Sequence, residues 1–243
     1  MKLADKTAVV VGGGSGMGLA SAEALASEGC RVMIAGRNQQ RLQQALGASS
    51  HSELLSVKCA DVGDRQSVRQ LIDEADRVLG QVDIFVNSAG INVPNRSIDL
   101  LAPEDWDRLL RVNATGSYNC MYAVLPQMRA RGDGLIVNIS SIAGKRGDLR
   151  GGVAYCAAKF AQAGLGRTVA GEVGTEGVRV TTIYPGEANT PLLDARPTPV
   201  TEEHRARILQ PEDIGAAVLM IACLPPRAHI PELIITPTCQ PFV

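Results

Sequence analysis

Seven short apolar runs recur along the chain, at about 7–12 (TAVVVG), 30–35 (CRVMIA), 53–59 (ELLSVKC), 82–87 (VDIFVN), 134–140 (GLIVNIS), 178–184 (VRVTTIY) and 231–236 (PELIIT). They are continuous rather than alternating, the pattern of strands buried on both faces. Between them lie stretches with helical character near 16–28, 38–46, 64–79, 103–130, 153–175 and 211–223. Asp64 is placed to cap the third of these, with Ser67 and Val68 opening its first turn. Pro103-Glu104-Asp105 and Pro211-Glu212-Asp213 read as helix starts, where proline loses no hydrogen bond and acids complement the dipole. Gly80 and Gly132 read as helix ends. Strand–helix alternation with short connections predicts a parallel sheet covered on both faces. Right-handed crossovers make that a Rossmann-type doubly wound α/β fold of about seven strands. No linker or repeat divides the chain, so residues 1–243 are expected to form a single dinucleotide-binding catalytic domain. The longest interruption, 186–210, contains Pro191, Pro197 and Pro199 and is expected to be a lid-like loop.

Composition narrows the partners. The chain has 243 residues and a net charge of −1, with acids and bases interspersed. No basic stripe predicts nucleic-acid binding. The apolar run near the N-terminus is too short for a signal-peptide core, and none approaches the ~20 residues of a membrane span. A soluble, cytoplasmic protein with no membrane partner is expected. Cys30, Cys59, Cys120, Cys156, Cys223 and Cys239 are scattered without a C-x-x-C pair, which predicts reduced, buried small side chains. His51, His204 and His229 form no ligand spacing, so no metal site is expected.

The first strand runs into Val11-Gly12-Gly13-Gly14-Ser15-Gly16-Met17-Gly18 and then a helix. A helix start offers free N–H groups and a positive dipole end to an anion. Glycines let backbone approach a pyrophosphate closely. The spacing G-x-x-x-G-x-G, with no following Gly-Lys-Ser/Thr, excludes the NTPase P-loop. Gly12, Ser15, Gly16, Met17 and Gly18 are therefore candidate cofactor contacts. The second strand ends Ala35-Gly36-Arg37-Asn38. An acid at that edge would bind an adenosine ribose and repel a 2′-phosphate. Gly36 stands there instead and Arg37 follows, favouring NADP(H), with NAD(H) as the alternative.

The fifth helical stretch opens Ala154-Tyr155-Cys156-Ala157-Ala158-Lys159. Tyr155 and Lys159, four apart, share a helical face. An ammonium beside a phenol is expected to lower its pKa toward the range useful for proton transfer. Such a pair is common on solvated helices, and position gives this one weight. The preceding strand ends Asn138-Ile139-Ser140-Ser141, and active sites in these sheets form beyond the strands' carboxyl ends. A serine there can polarise a substrate oxygen while Tyr155 moves a proton.

Taken together these motifs resemble the classical short-chain dehydrogenase/reductase family over nearly the whole chain. Asp61-Val62 matches the family's adenine-side pair. Asn87-Ser88-Ala89-Gly90 matches its fourth-strand end, and Pro185-Gly186 with Thr190 its nicotinamide-side segment. The resemblance implies a catalytic tetrad of Asn113, Ser141, Tyr155 and Lys159. In it Tyr155 is the acid/base, and Lys159 lowers its pKa and holds the nicotinamide ribose. Ser141 orients the substrate, and Asn113 anchors a water in a proton relay. It implies an oxidoreductase passing a hydride between NADP(H) and a ketone or secondary alcohol, acting on CH–OH groups, a 3-oxoacyl compound among the candidates. A homotetramer or homodimer built on the helices near 103–130 and 153–175 is implied too. An inactive NADP-sensing binder, or an isomerase or dehydratase on the same scaffold, are the alternatives. Four departures stand out. Val11 replaces the usual Thr, and Tyr184 the usual Asn. One extra residue separates Ser141 from Tyr155, which leaves Ser140 as a second candidate. The C-terminus lacks an Asp-Gly-Gly ending. Lys145, Arg146 and Arg150 in the 142–152 loop are candidates to meet an anionic substrate tail.

Overall fold

The computed structural model describes residues 1–240. Seven strands run in them: β1 Thr7–Val11, β2 Arg31–Gly36, β3 Leu55–Cys59, β4 Ile84–Asn87, β5 Gly134–Ile139, β6 Val178–Pro185 and β7 Glu232–Ile235. All pair in parallel, in the order β3-β2-β1-β4-β5-β6-β7. Eight α-helices accompany them: α1 Gly16–Ser27, α2 Gln39–Ala48, α3 Arg65–Leu79, α4 Pro103–Leu110, α5 Gly116–Arg131, α6 Val153–Val173, α7 Glu202–Arg207 and α8 Pro211–Ala222.

The continuous apolar runs have a direct cause, because successive side chains of a strand point to opposite faces. Ala8 and Val10 of β1, with Val32 and Ile34 of β2, enter one core beneath α1, α2 and α8. Val9, Val11, Met33 and Ala35 enter a second core beneath α3, α5 and α6. Both faces are covered, so apolar residues dominate both sets of alternate positions. Fully burying each large aliphatic side chain contributes about 1.5–3 kcal/mol.

Helix ends follow local chemistry. The Asp64 side chain accepts from the Gln66 N–H at 3.1 Å. Gly80 and Gly132 terminate α3 and α5 at φ 91° and 68°. Gln210 and Asp213 form a capping box at α8.

Three expectations are corrected. The single helix over 103–130 is interrupted by a π-helical turn at Arg111–Thr115. One wide turn displaces the helical periodicity by only a residue, too little to break the amphipathic pattern. Segment 186–210 is not bare loop: it holds a 3₁₀ turn, Pro191–Ala195, and α7, capped by Thr201. Helices this short carry no periodicity to read. Of the cysteines, all free, Cys30 and Cys120 are buried but Cys59 and Cys239 are exposed, because β3 is an edge strand and Cys239 lies in the terminal turn. Among the described residues no helix is long and apolar enough to cross a membrane.

Candidate active site

Every strand of a parallel sheet points its carboxyl end the same way, so the turns after β1, β2, β4, β5 and β6 gather at one rim. Gly12 has φ +75°, and a Cβ there would lie 2.7 Å from the Ser88 carbonyl carbon. A Cβ on Gly18 would lie 2.3 Å from the Gly12 carbonyl oxygen. The two glycines thus let β1, α1 and the loop after β4 converge. Val11 carries no hydroxyl to brace this turn. The backbone braces it instead: the Gly12 and Gly13 N–H groups donate to Ala35 O at 2.8 and 3.1 Å, and Ser88 N–H donates to Val11 O. Ser15, the N-cap of α1, makes no side-chain capping bond, leaving first-turn donors for an anion.

A cavity of about 500 Å³ runs along the rim from Gly36, Arg37 and Arg41 to Tyr155 and Lys159. Gly12, Ser15, Gly16, Met17, Val62, Ala89, Gly90 and Thr190 also line it. The other expected cofactor residues stand elsewhere. Gly18 packs under the turn. Asn87 is buried, its Nδ2 donating to Ser117 Oγ at 2.9 Å. Asp61 does not line the cavity, because its Oδ1 accepts from the Gly63 N–H at 2.9 Å. Pro185 and Gly186 line a neighbouring cavity. Sequence reasoning missed Asn38, Arg41, Ser88, Ile91, Asn92 and Leu192 on the cavity wall. Arg41, one turn beyond Arg37, was the legible one.

Tyr155 and Lys159 project from the first two turns of α6, the Lys159 ammonium 5.6 Å from the Tyr155 ring centre. Ser141 lies close enough to the Tyr155 phenol to lower its pKa, and its Oγ accepts from the Ala143 N–H at 3.1 Å. The Ser140 hydroxyl is buried beside the cavity without a protein partner. Ser141 is therefore the serine that meets the phenol, and the extra residue is absorbed in the loop before α6.

The expected lowering of the phenol pKa is reversed. Burial pushes Tyr155 up to about 12, against weaker lowering by the Ser141 hydrogen bond and the Arg96 charge. Burial also pushes Lys159 down to about 7. A buried ammonium is itself disfavoured, so the protein alone cannot hold a full charge beside the ring.

Asn113, fully buried, sits within the π-helical turn. Its Oδ1 accepts from Ile91 N–H at 2.8 Å, and its Nδ2 donates to Ile91 O at 2.9 Å, pinning the loop after β4. A Cβ on Gly90 would lie 3.6 Å from Asn113 Oδ1 and 3.8 Å from Lys159 Nζ, so the two side chains flank one glycine. Gln162 was not foreseen. Lys159 Nζ donates to Gln162 Oε1 at 3.0 Å, Gln162 Nε2 to Ser117 Oγ at 2.9 Å, and Ser117 Oγ to Asn113 O at 2.9 Å. Side chains thus connect Lys159 to Asn113 without leaving the core.

A second, smaller cavity of about 100 Å³ adjoins the first, with Met17, Asn92, Ser140, Tyr155, Thr190 and Leu192 on both walls. The bases expected to face a substrate tail are differently placed. Lys145 is paired with Glu232, which also accepts from the Tyr184 hydroxyl. Tyr184 thereby fills the usual Asn position as the anchor of a partly exposed ion pair, with Lys145 4.4 Å from its ring centre. Arg146 does not line either cavity. Arg150 does, but is paired with Asp148 and Glu187.

The family model for short chain dehydrogenases matches residues 6–200. This chain belongs to the short-chain dehydrogenase family. Among its relatives, the short-chain reductase protein NovJ of Streptomyces niveus is 36% identical over 232 residues, covering 90% of this chain and 87% of that one. Serine dehydrogenase in a closed form complexed with NADP+ superposes with a TM-score of 0.87 at 27% identity, covering 97% of this chain and 96% of its own. An alcohol dehydrogenase from the archaeon Thermococcus sibiricus, complexed with 5-hydroxy-NADP, superposes with a TM-score of 0.85 at 26% identity, covering 98% and 99%. As a short-chain dehydrogenase, the chain is an oxidoreductase with a Rossmann-type fold.

Proposed function

We propose that this short-chain dehydrogenase is an NADP(H)-dependent carbonyl reductase, reducing a ketone to a secondary alcohol. The observation that carries the reading is the placement of Tyr155 at the junction of the two cavities, with Ser141 on the wall of the smaller one.

The long cavity fits a dinucleotide. Free N–H groups of α1 suit the pyrophosphate, and Arg37 and Arg41, which make no ion pair among the described residues, suit a 2′-phosphate. Bound nicotinamide supplies the hydride. The protein's part is proton transfer and orientation. A phenol held protonated, with its pKa up at about 12, starts in the proton-donating form that carbonyl reduction uses. The Tyr155 hydroxyl donates its proton to the substrate oxygen as negative charge develops there. Ser141, whose oxygen is already occupied by the Ala143 N–H, directs its own proton at the same substrate oxygen. Lys159 holds the nicotinamide ribose and returns a proton to the phenolate. Asn113 fixes the Ile91 backbone that forms the cavity wall.

Self-association into a dimer or tetramer through α5 and α6 is part of this reading, supported by exposed aromatic residues on both helices. Tyr118 and Tyr122 stack at 5.7 Å, with Phe160 exposed on α6.

The reading is tested by following NADPH oxidation with a panel of ketones and 3-oxoacyl thioesters, in the native protein and in Tyr155→Phe. Turnover should fall about 10²–10⁴-fold in the variant, while the dissociation constant for NADP+, measured by calorimetry, stays within about threefold. Full activity in Tyr155→Phe would refute the assignment. NADPH binding with no turnover of any carbonyl would favour the pure binding protein.

A further inference from the structure

The walls of the smaller cavity carry more positive than negative charge. Three guanidinium groups line it, those of Arg96, Arg150 and Arg196, against the carboxylates of Asp148 and Glu187. Both carboxylates are committed. Asp148 takes Arg150 at 3.3 Å. Glu187, with its side chain only 5% exposed, takes Arg150 at 3.1 Å, Arg196 at 2.7 Å and His204 at 2.8 Å.

Arg96 is left over. Its Nε donates to Val93 O at 2.6 Å, Nη1 to Arg150 O at 2.6 Å and Nη2 to Ala195 O at 2.9 Å. All three partners are neutral carbonyls. Among the described residues it makes no ion pair, and two of its five N–H donors remain. The position is built rather than incidental. Gly152, at φ +83°, would drive a Cβ to 2.4 Å from Arg96 Cβ, and the Val153 N–H at the start of α6 donates to Arg96 O at 3.1 Å. The side chain is half-buried, its own pKa lowered by burial and by the neighbouring Arg196, and its charge reaches Tyr155 strongly enough to lower the phenol's pKa. A guanidinium cannot discharge itself near neutral pH, so a partly buried, uncompensated one beside a reaction centre favours an oxyanion from outside.

We infer that the substrate carries an anionic oxyacid group, seated on Arg96 beside the carbonyl that Tyr155 protonates. This rests on the carbonyl-reductase reading and narrows it to acidic carbonyl compounds. Beyond Arg96 the pocket widens into an outer cavity of about 630 Å³ whose wall includes Pro94, Leu100 and Leu149. Apolar extensions of the acid point there, while the anion stays between them and Tyr155.

The experiment uses methyl ketones with a terminal carboxylate at increasing distance, namely 3-oxobutanoate, 4-oxopentanoate and 5-oxohexanoate, each beside its methyl ester. kcat/KM with NADPH is measured for the native protein and for Arg96→Gln. The best acid should exceed its ester by at least about tenfold. Arg96→Gln should erase that preference, lowering kcat/KM for the acid at least about tenfold more than for the ester. Native protein that prefers every ester overturns the inference without any variant. Equal loss of acid and ester in Arg96→Gln also overturns it, by making Arg96 a clip between loops. Saturation-transfer NMR of each acid and ester on the NADP+-loaded protein separates the two readings. Arg96-dependent, acid-selective binding without turnover keeps the anion site and rejects carbonyl reduction. Turnover without acid preference does the reverse.

Discussion

Lys159 is the side chain whose role depends most on where it is buried. The residue is 3% exposed, and burial brings its pKa down from 10.5 to about 7. A lysine depressed in the folded state costs stability: the penalty is complete below the folded pKa and vanishes above the unfolded one. Stability from this group therefore rises with pH between about 7 and 10.5. At neutral pH the penalty is on the order of a few kcal/mol. Lys159→Met removes it and in return leaves the Gln162 and Ile139 oxygens without their donor, at about 1–3 kcal/mol. The melting temperature of the variant relative to native protein should fall steadily as pH is raised from 6.5 to 9.5. The change is of several degrees, since about 1 kcal/mol moves a chain this long by roughly 2–4 °C. A difference independent of pH, by differential scanning fluorimetry, would show that Lys159 titrates normally in the fold. The Tyr-x-x-x-Lys spacing was legible in the sequence, but the sign of the tyrosine's shift was not. Spacing reports who is near whom, whereas the shift is decided by how much water the fold excludes.

At the scale of the element, α2 shows how a helix start selects a ligand. Gly36 ends β2, Arg37 follows, and Asn38 caps the helix by accepting from the Arg41 N–H at 2.9 Å. That bond fixes the first turn and with it the base of the Arg41 side chain. Two guanidinium groups then flank one end of the long cavity, next to the positive end of the helix dipole. Removing either forfeits charge-assisted bonds of about 1.5–3 kcal/mol each. Arg37→Ala and Arg41→Ala should thus weaken NADPH roughly 10- to 100-fold, with NADH changed by less than about threefold. Equal weakening of both cofactors in titration calorimetry would remove the 2′-phosphate reading. Arg37 was legible because it follows Gly36, which stands where an acid is expected. Arg41 was visible as a neighbour, but its aim depends on the cap. The same limit hid the π-helical turn around Asn113, since one added residue leaves an apolar stripe intact while rotating everything after it. The central strands posed no such difficulty, because burial on both faces writes a continuous apolar run into β1, β4 and β5.

Across the whole molecule, the reaction centre is closed by segments far apart in sequence, and Glu187 ties them together. Its carboxylate receives Arg150 from the loop before α6, Arg196 and His204 from segment 186–210. Its own N–H donates to Gln240 Oε1 at 3.0 Å. Burial pushes its carboxyl up, yet the His204 hydrogen bond and the Arg196 charge outweigh this and hold it below the usual carboxylate range. The contribution of a depressed acid is fully present above the unfolded value near 4.5 and lost as pH falls through the lower folded value. Pro191, Pro197 and Pro199 were readable as signs of a long connection, but a salt-bridge hub among residues 148–204 is a product of the tertiary fold. If segment 186–210 is a lid over the smaller cavity, Glu187→Gln should loosen it selectively. The sheet, whose two cores do not include Glu187, should stay intact. Hydrogen exchange by mass spectrometry at pH 7 should show segment 186–210 exchanging at least about tenfold faster in the variant, with β1 and β4 unchanged. As the pH is lowered below 4.5 and through the lower folded value, native protein should move toward the variant in that segment once intrinsic exchange rates are divided out. Exchange that accelerates equally in β1 and β4 would make Glu187 a support of the whole fold. No acceleration anywhere would mean that packing of Leu193 and Leu209, both buried, holds the segment without the ion pairs.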